Sequence, residues 1–189
     1  ILDTISPVAN CNTPLDVFLG TGGSVTVTAT QINAGSTDNC SITSVNINGG
    51  SSVTFDCTDV GANNVTLTVQ DGSSNTGTCV SMVNVFDTLP PTAICRNLTA
   101  YLDGSGQVVV NPSDVNNGSI DNCGAPSLDF STGGAITYNC TMTGSNSVTL
   151  IATDASGNVD SCSSTITVLD TVSPVAICQP ITVQLDATG

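Results

Sequence analysis

Ser24 to Thr30 alternates Val with Thr, and Asn64 to Asp71 reads Asn-Val-Thr-Leu-Thr-Val-Gln-Asp, apolar at every second position. A period of two is the signature of a strand with one buried face. The same reading predicts strands from Val8 through Cys11 to Leu19, from Cys40 to Ile47, from Val53 to Cys57 and from Thr78 to Phe86. Glycine turns at Gly20 to Gly23 and Gly72 to Asn75 separate them. Asn48-Gly49 is a strong hairpin signal, and folding about it sets residue 40 opposite residue 57. The alternation lapses between Gln31 and Asn39, where a short helical turn is expected; its later counterpart, Asn111-Pro112-Ser113-Asp114-Val115, has the Asn-Pro start such a turn favours. Strands recur at Leu98 to Leu102, Val108 to Asn111, Leu128 to Cys140, Val148 to Asp154 and Ser161 to Leu169.

That recurrence has a ruler. Asp87-Thr88-Leu89-Pro90-Pro91-Thr92-Ala93-Ile94-Cys95 returns as the stretches beginning at Asp3 and Asp170, a period of about 84 residues, which suits a whole small domain better than a solenoid turn. The expected organisation is residues 1–2 as the end of a preceding repeat, 3–86 and 87–169 as two full repeats, and 170–189 as the first strand of a third. The chain reads as a window onto a longer array or as one subunit of a continuous polymer. Short strands, regular turns and no long helix predict an all-β fold of tandem immunoglobulin-like sandwiches. A domain entered at one pole and left at the other needs an odd number of traverses, so 41–63 is expected to hold one crossing more than the hairpin supplies.

Composition sharpens this picture. Aromatics are only 3% of the chain against 39% hydrophobic residues, so the cores must be built from Val, Ile, Leu and Ala, and cores of that size need staples. The net charge is −14, from fifteen acids, all Asp, against Arg96 alone. Such a surface will not bind nucleic acid, and its neutralising charge must come from outside. No apolar run approaches membrane-spanning length.

Nine cysteines without His or a tight Cys-x-x-Cys argue for disulfides and a secreted or cell-surface protein. They fall as Cys11, Cys40, Cys57 and Cys79, then Cys95, Cys123, Cys140 and Cys162, then Cys178. Four cysteines allow three pairings. Cys11 begins the first strand and Cys79 the last, and both strands run from the same pole. The expected bonds are therefore Cys11–Cys79 and Cys40–Cys57, with Cys95–Cys162 and Cys123–Cys140 in the second repeat. Cys178 is left for a partner outside the sequence.

The same pole gathers the linker Asp3, the turn Asp38-Asn39 and the loop Asp71 to Asn75, and in the second repeat Asp87, Asp121-Asn122 and Asp154 to Asn158. Asp3, Asp38, Asp71, Asn75, Asp87, Asp121, Asp154 and Asn158 are thus candidate ligands for calcium, a hard ion that takes oxygen donors and would brace the junction. They are also ordinary turn formers. Asp16, Asp103 and Asp129 fall out of register and read as solvated. Catalysis is not expected. Without His, Lys or Glu there is no familiar triad, no glycine-rich phosphate loop follows a strand, and the paired carboxylates that could hydrolyse sugars sit in turns.

Asp-Thr-x-x-Pro-x-Ala-x-Cys, Asp-Asn-Cys, Phe55-Asp56-Cys57 and Thr153-Asp154-Ala155-Ser156-Gly157-Asn158 resemble hyalin-type (HYR-like) immunoglobulin-like repeats of long bacterial surface adhesins and gliding proteins. The resemblance implies extracellular spacing, adhesion or fibre formation, with disulfides and often calcium. One departure is Gly20, near where the later repeats have Asp103 and Asp186. Asp-Thr followed by an aliphatic residue also resembles an acceptor for O-linked glycans, which marks Thr4, Thr88 and Thr171. The expected function is a stiff structural module of an extracellular filament or adhesin stalk, partnered by neighbouring repeats or copies of itself. Residues 170–189 are the candidate strand if one chain donates a strand to the next. The alternative is a calcium-dependent carbohydrate-binding module, though only Tyr101, Tyr138 and four Phe are available to stack on a sugar.

Overall fold

The computed structural model describes residues 3–188; the expected tail of a preceding repeat at residues 1–2 lies outside them. Two β-sandwiches follow one another, each with its own core. In domain 1 the strands are β1 (Leu15–Phe18), β2 (Ser24–Thr28), β3 (Ile42–Ile47), β4 (Ser52–Asp56), β5 (Gly61–Asp71) and β6 (Thr76–Phe86), with one helical turn, α1 (Ala29–Ile32). Domain 2 repeats the order with β7 (Leu98–Tyr101), β8 (Gln107–Val110), α2 (Pro112–Val115), β9 (Ser127–Phe130), β10 (Ile136–Asn139), β11 (Gly144–Thr153) and β12 (Val159–Leu169). The sheets are β1-β6-β5-β3 facing β2-β4, and β7-β12-β11-β9 facing β8-β10.

Alternation decides which side chains meet between the sheets. Val65, Leu67 and Val69 of β5 and Val83 and Val85 of β6 are fully buried, and Val27, Ile32, Ile47 and Phe55 belong to the same cluster. Each such side chain stabilises the fold by about 1.5–3 kcal/mol relative to exposure. Val148, Leu150, Ile166 and Val168 do the same in domain 2, around Phe130 and Tyr138. The helical turn comes slightly before its expected place in domain 1, because Gln31 reaches back to the Thr28 amide (2.8 Å) and closes a capping box there. Asp114 does so for Asn111 (2.7 Å) at the expected Asn-Pro start.

The Asn48-Gly49 turn forms, with φ of 46° and 83°, but the two strands it joins do not pair with each other. β3 starts against Asp71 and climbs to Leu67 in the middle of β5. Asn48 stays on β5, donating its amide N–H to Thr66 (3.0 Å) and accepting the Thr66 N–H on Oδ1 (2.9 Å). The chain then swings to the opposite sheet, where β4 pairs with β2 from Ser52↔Thr28 to Asp56↔Ser24. β3 and β4 are therefore two halves of one traverse that changes sheet midway. The odd count is reached by one crossing fewer than the hairpin supplies, not by one more. β9 and β10 divide their traverse in the same way, pairing with β11 and β8 respectively.

Each domain thus has a proximal pole, where its linker arrives beside the β5–β6 or β11–β12 loop, and a distal pole, where β6 or β12 leaves. A 3-10 turn at the distal pole follows β4 (Cys57–Asp59) and β10 (Cys140–Met142). Residues 170–188, expected to begin a third repeat with a strand, contain no hydrogen-bonded strand; Val175, Ile177, Ile181, Val183 and Leu185 are exposed. The corresponding strands β1 and β7 exist by pairing in parallel with β6 and β12 of their own domains.

Candidate metal and junction site

The poles determine the disulfides. Cys11 is bonded to Cys79 and Cys95 to Cys162, each tying the incoming segment to the last strand of its own domain. The remaining pairs differ from the sequence expectation. Cys57 is bonded to Cys123, across the junction between the domains, while Cys40 and Cys140 are free and exposed. Cys40–Cys57 and Cys123–Cys140 do not form because β3 and β4 run in one direction. At about 3.3 Å per strand residue they carry the chain on the order of 30 Å, from the proximal to the distal pole, far beyond disulfide reach. Distal Cys57 instead meets proximal Cys123 of the next domain, and Cys123 packs on the edge of the domain 1 core. Cys178, expected to find its partner outside the sequence, is also free and exposed.

The backbones close up around this bond. Gly23 has a φ of 68°, and a Cβ there would come within 2.5 Å of the Asn122 carbonyl oxygen, so the approach of the two domains requires glycine. Asn122 also donates its amide to the Gly20 carbonyl at 3.4 Å.

Carboxylates gather at both proximal poles. In domain 1, oxygens of Asp3, Asp38 and Asp71 lie within 4.8 Å of one another; in domain 2, oxygens of Asp87 and Asp121 do so beside Cys123, whose sulfur is committed to the disulfide. The local geometry is shared. One oxygen of each linker or turn carboxylate is held by a backbone amide: Ile5 N–H to Asp3 (3.0 Å), Cys40 N–H to Asp38 (3.0 Å), Leu89 N–H to Asp87 (3.3 Å) and Cys123 N–H to Asp121 (2.8 Å). The other oxygen is turned inward. Asp3 Oδ2, Asp38 Oδ1, Asp87 Oδ2 and Asp121 Oδ1 are buried without a donor, as is Asn122 Oδ1. Buried oxygens are rarely left unpaired, and Asp87 is only 7% exposed. Two carboxylates this close repel by about 3–4 kcal/mol at an effective dielectric of about 20, and Arg96, the sole cation, donates to the Asp114 carbonyl instead.

The other expected ligands have different duties. Asp71 accepts from the amides of Ser73 and Asn75 and from the Asn75 side chain, at 2.7–2.8 Å. Asp154 is held likewise by Ser156 and Asn158, and it does not join the domain 2 cluster. The side-chain amides of Asn75 and Asn158 donate to the carbonyls of Asp3 (3.1 Å) and Asp87 (3.2 Å). They fasten the linker to the loop. Asn122, absent from the expected ligands, donates its side-chain amide to Asp87 Oδ1 (3.2 Å) and keeps a buried amide oxygen without a donor; an Asn after an Asp in a turn carries no signal that separates it from a turn former.

Electrostatics distinguish the free thiol at this pole. The Ile5 N–H, with the Cys40 thiol and the Asn39 amide, holds Asp3 below the usual carboxylate range. The neighbouring Asp3 carboxylate, with partial desolvation and the charges of Asp38 and Asp71, pushes the Cys40 thiol up. Thr4, Thr88 and Thr171 are all exposed. Among the described residues, no helix is long and apolar enough to cross a membrane.

No family model matches the chain, and no curated protein matches it. Among solved structures it is similar to the extracellular cadherin domains 1–5 of Protocadherin Gamma B2 (TM-score 0.39, 14% identity, covering 87% of this chain and 40% of that one). Others are human Protocadherin-24 EC1-2 (TM-score 0.44, 15% identity, 89% and 100%) and Drosophila OTK extracellular domains 3–5 (TM-score 0.37, 11% identity, 93% and 71%). The chain spans less than half the length of the Gamma B2 structure. These are likenesses of fold alone.

Proposed function

We propose that the chain is a structural repeat module of an extracellular bacterial filament or adhesin stalk, its sandwiches locked pole to pole by disulfides and braced by calcium. The observation that carries this reading is the Cys57–Cys123 bond, which joins one domain to the next and removes their freedom to swing. The inward oxygens fit a hard cation. Asp87, Asp121 and Asn122 would hold calcium at the junction, and Asp3, Asp38 and Asp71 a second ion at the corresponding pole. The ion would neutralise carboxylates that no side chain neutralises. Exposed Thr4, Thr88 and Thr171 suit a sugar-coated fibre. Electron microscopy of the native material tests the reading. An unbranched fibre with an axial repeat of about 36–40 Å per domain is expected, from eleven-residue strands at about 3.3 Å per residue. Isolated two-domain particles that bind a saccharide selectively would overturn it.

A further inference from the structure

Cys40 and Cys140 are exposed, unpaired and at opposite ends of the described double sandwich. Their surroundings reproduce the two halves of the junction bond. Cys140 opens the distal 3-10 turn of domain 2 as Cys57 opens that of domain 1, after a residue whose side chain caps the turn: Asn139 accepting from Thr141 N–H, Asp56 from Thr58 N–H. Its sulfur lies 3.6 Å from the Gly106 carbonyl, as that of Cys57 lies 3.5 Å from Gly23. Gly106 has a φ of 75° against 68° for Gly23, so the small backbone that accommodates Asn122 at the formed junction recurs at the distal pole of domain 2. Cys40 matches Cys123. Asp38 holds its amide as Asp121 holds that of Cys123, and the side-chain amide of Asn39 lies 3.5 Å from its sulfur, as Asn122 lies from Cys123.

We infer that Cys140 and Cys40 are the distal and proximal halves of further junction disulfides, each made with a sandwich of this same kind. Cys140 bonds the proximal cysteine of the domain that follows, and Cys40 the distal cysteine of the domain that precedes. The contact is head to tail, so it propagates without closing. Formation is thiol–disulfide exchange with a small-molecule disulfide. One protein thiolate displaces a thiolate from the oxidant to give a mixed disulfide, and the partner thiolate displaces the second. Two protein thiols lose two protons and two electrons, and one oxidant disulfide is reduced to two thiols. The inference rests on the stalk reading and names its bond.

The test uses the full chain with Cys178→Ser throughout, treated with oxidised glutathione and read by non-reducing electrophoresis and intact mass. The parent is expected to form a ladder of covalent multimers. Cys40→Ser and Cys140→Ser are each expected to remain monomeric, and their equimolar mixture to form a dimer and nothing larger. Homodimers of either variant, or no dimer in the mixture, would overturn the inference. Cleavage of native material before its aspartates, without reduction, gives a check free of variants. A Cys140 peptide bonded to the Cys40 peptide identifies a second copy; one bonded to a foreign peptide with the same Asp-Asn-Cys turn identifies a continuing chain. Both support the bond. Free thiols in fibres of intact axial repeat would sink the disulfide and leave the stalk standing.

Discussion

Ser164 donates its buried hydroxyl to the Arg96 carbonyl at 2.7 Å, and Ser81 makes the equivalent bond to Asn12. Both serines lie at core-facing positions of a last strand, 3% and 0% exposed. Each satisfies a carbonyl of the incoming segment beside the Cys95–Cys162 or Cys11–Cys79 bond. Ser164→Ala leaves the Arg96 carbonyl without its donor, and domain 2 is expected to lose about 1–3 kcal/mol. Urea unfolding with the disulfides intact reads the loss; an unchanged midpoint would show that the bond adds nothing.

Calcium dependence should be centred on Asp87. Added calcium is expected to raise the melting temperature of the oxidised chain above that in sodium chloride of equal ionic strength, with about 2.7 kcal/mol of stabilisation at one hundred times Kd. Asp87→Asn removes a charge from the junction cluster and should weaken the response while leaving the strands in place. An equal response in the variant would assign the effect elsewhere.

Acid should loosen the linker of domain 2. Asp160 accepts the Ala93 amide at 2.8 Å, and that bond, with one from Ser161, holds its carboxyl below the usual range. A depressed folded pKa gives stability that is present above the unfolded value of about 3.9 and lost as pH falls through the folded pKa. The urea midpoint of the parent should therefore exceed that of Asp160→Asn at neutral pH, and the gap should narrow as pH falls below about 4. Asp56 and Asp103, held low by Thr58 and by Ser105 and Gln107, titrate with the same sign. A gap that stays constant to low pH would contradict this.

Period-two patterning is enough to find the long strands, because Val65, Leu67 and Val69 alternate with polar neighbours wherever their partners lie. It does not say which strand each one pairs with. Ile47 and Val53 flank a genuine turn and keep the alternation on both sides, yet one pairs with Leu67 and the other with Val27. The Cys11–Cys79 bond is legible because it depends only on where the first and last strands begin. Cys57–Cys123 is not, since it depends on the sheet switch. Among the polar residues, the linker repeat points to Asp3 and Asp87, whereas the inward turn of Asn122 Oδ1 emerges only when two domains are set end to end.

The three disulfides overlap along the chain, Cys11–Cys79, Cys57–Cys123 and Cys95–Cys162, so a load applied from end to end need not follow the backbone. The shortest covalent route crosses from Cys11 to Cys79, runs back to Cys57, crosses to Cys123, runs back to Cys95 and leaves by Cys162. Unravelling both sandwiches would then release only about two-fifths of the contour that the bare polypeptide, at about 3.3–3.6 Å per residue, would yield. Under tension the molecule behaves as a chain of short covalent links, its extensibility set by which cysteines are joined rather than by how firmly its strands adhere.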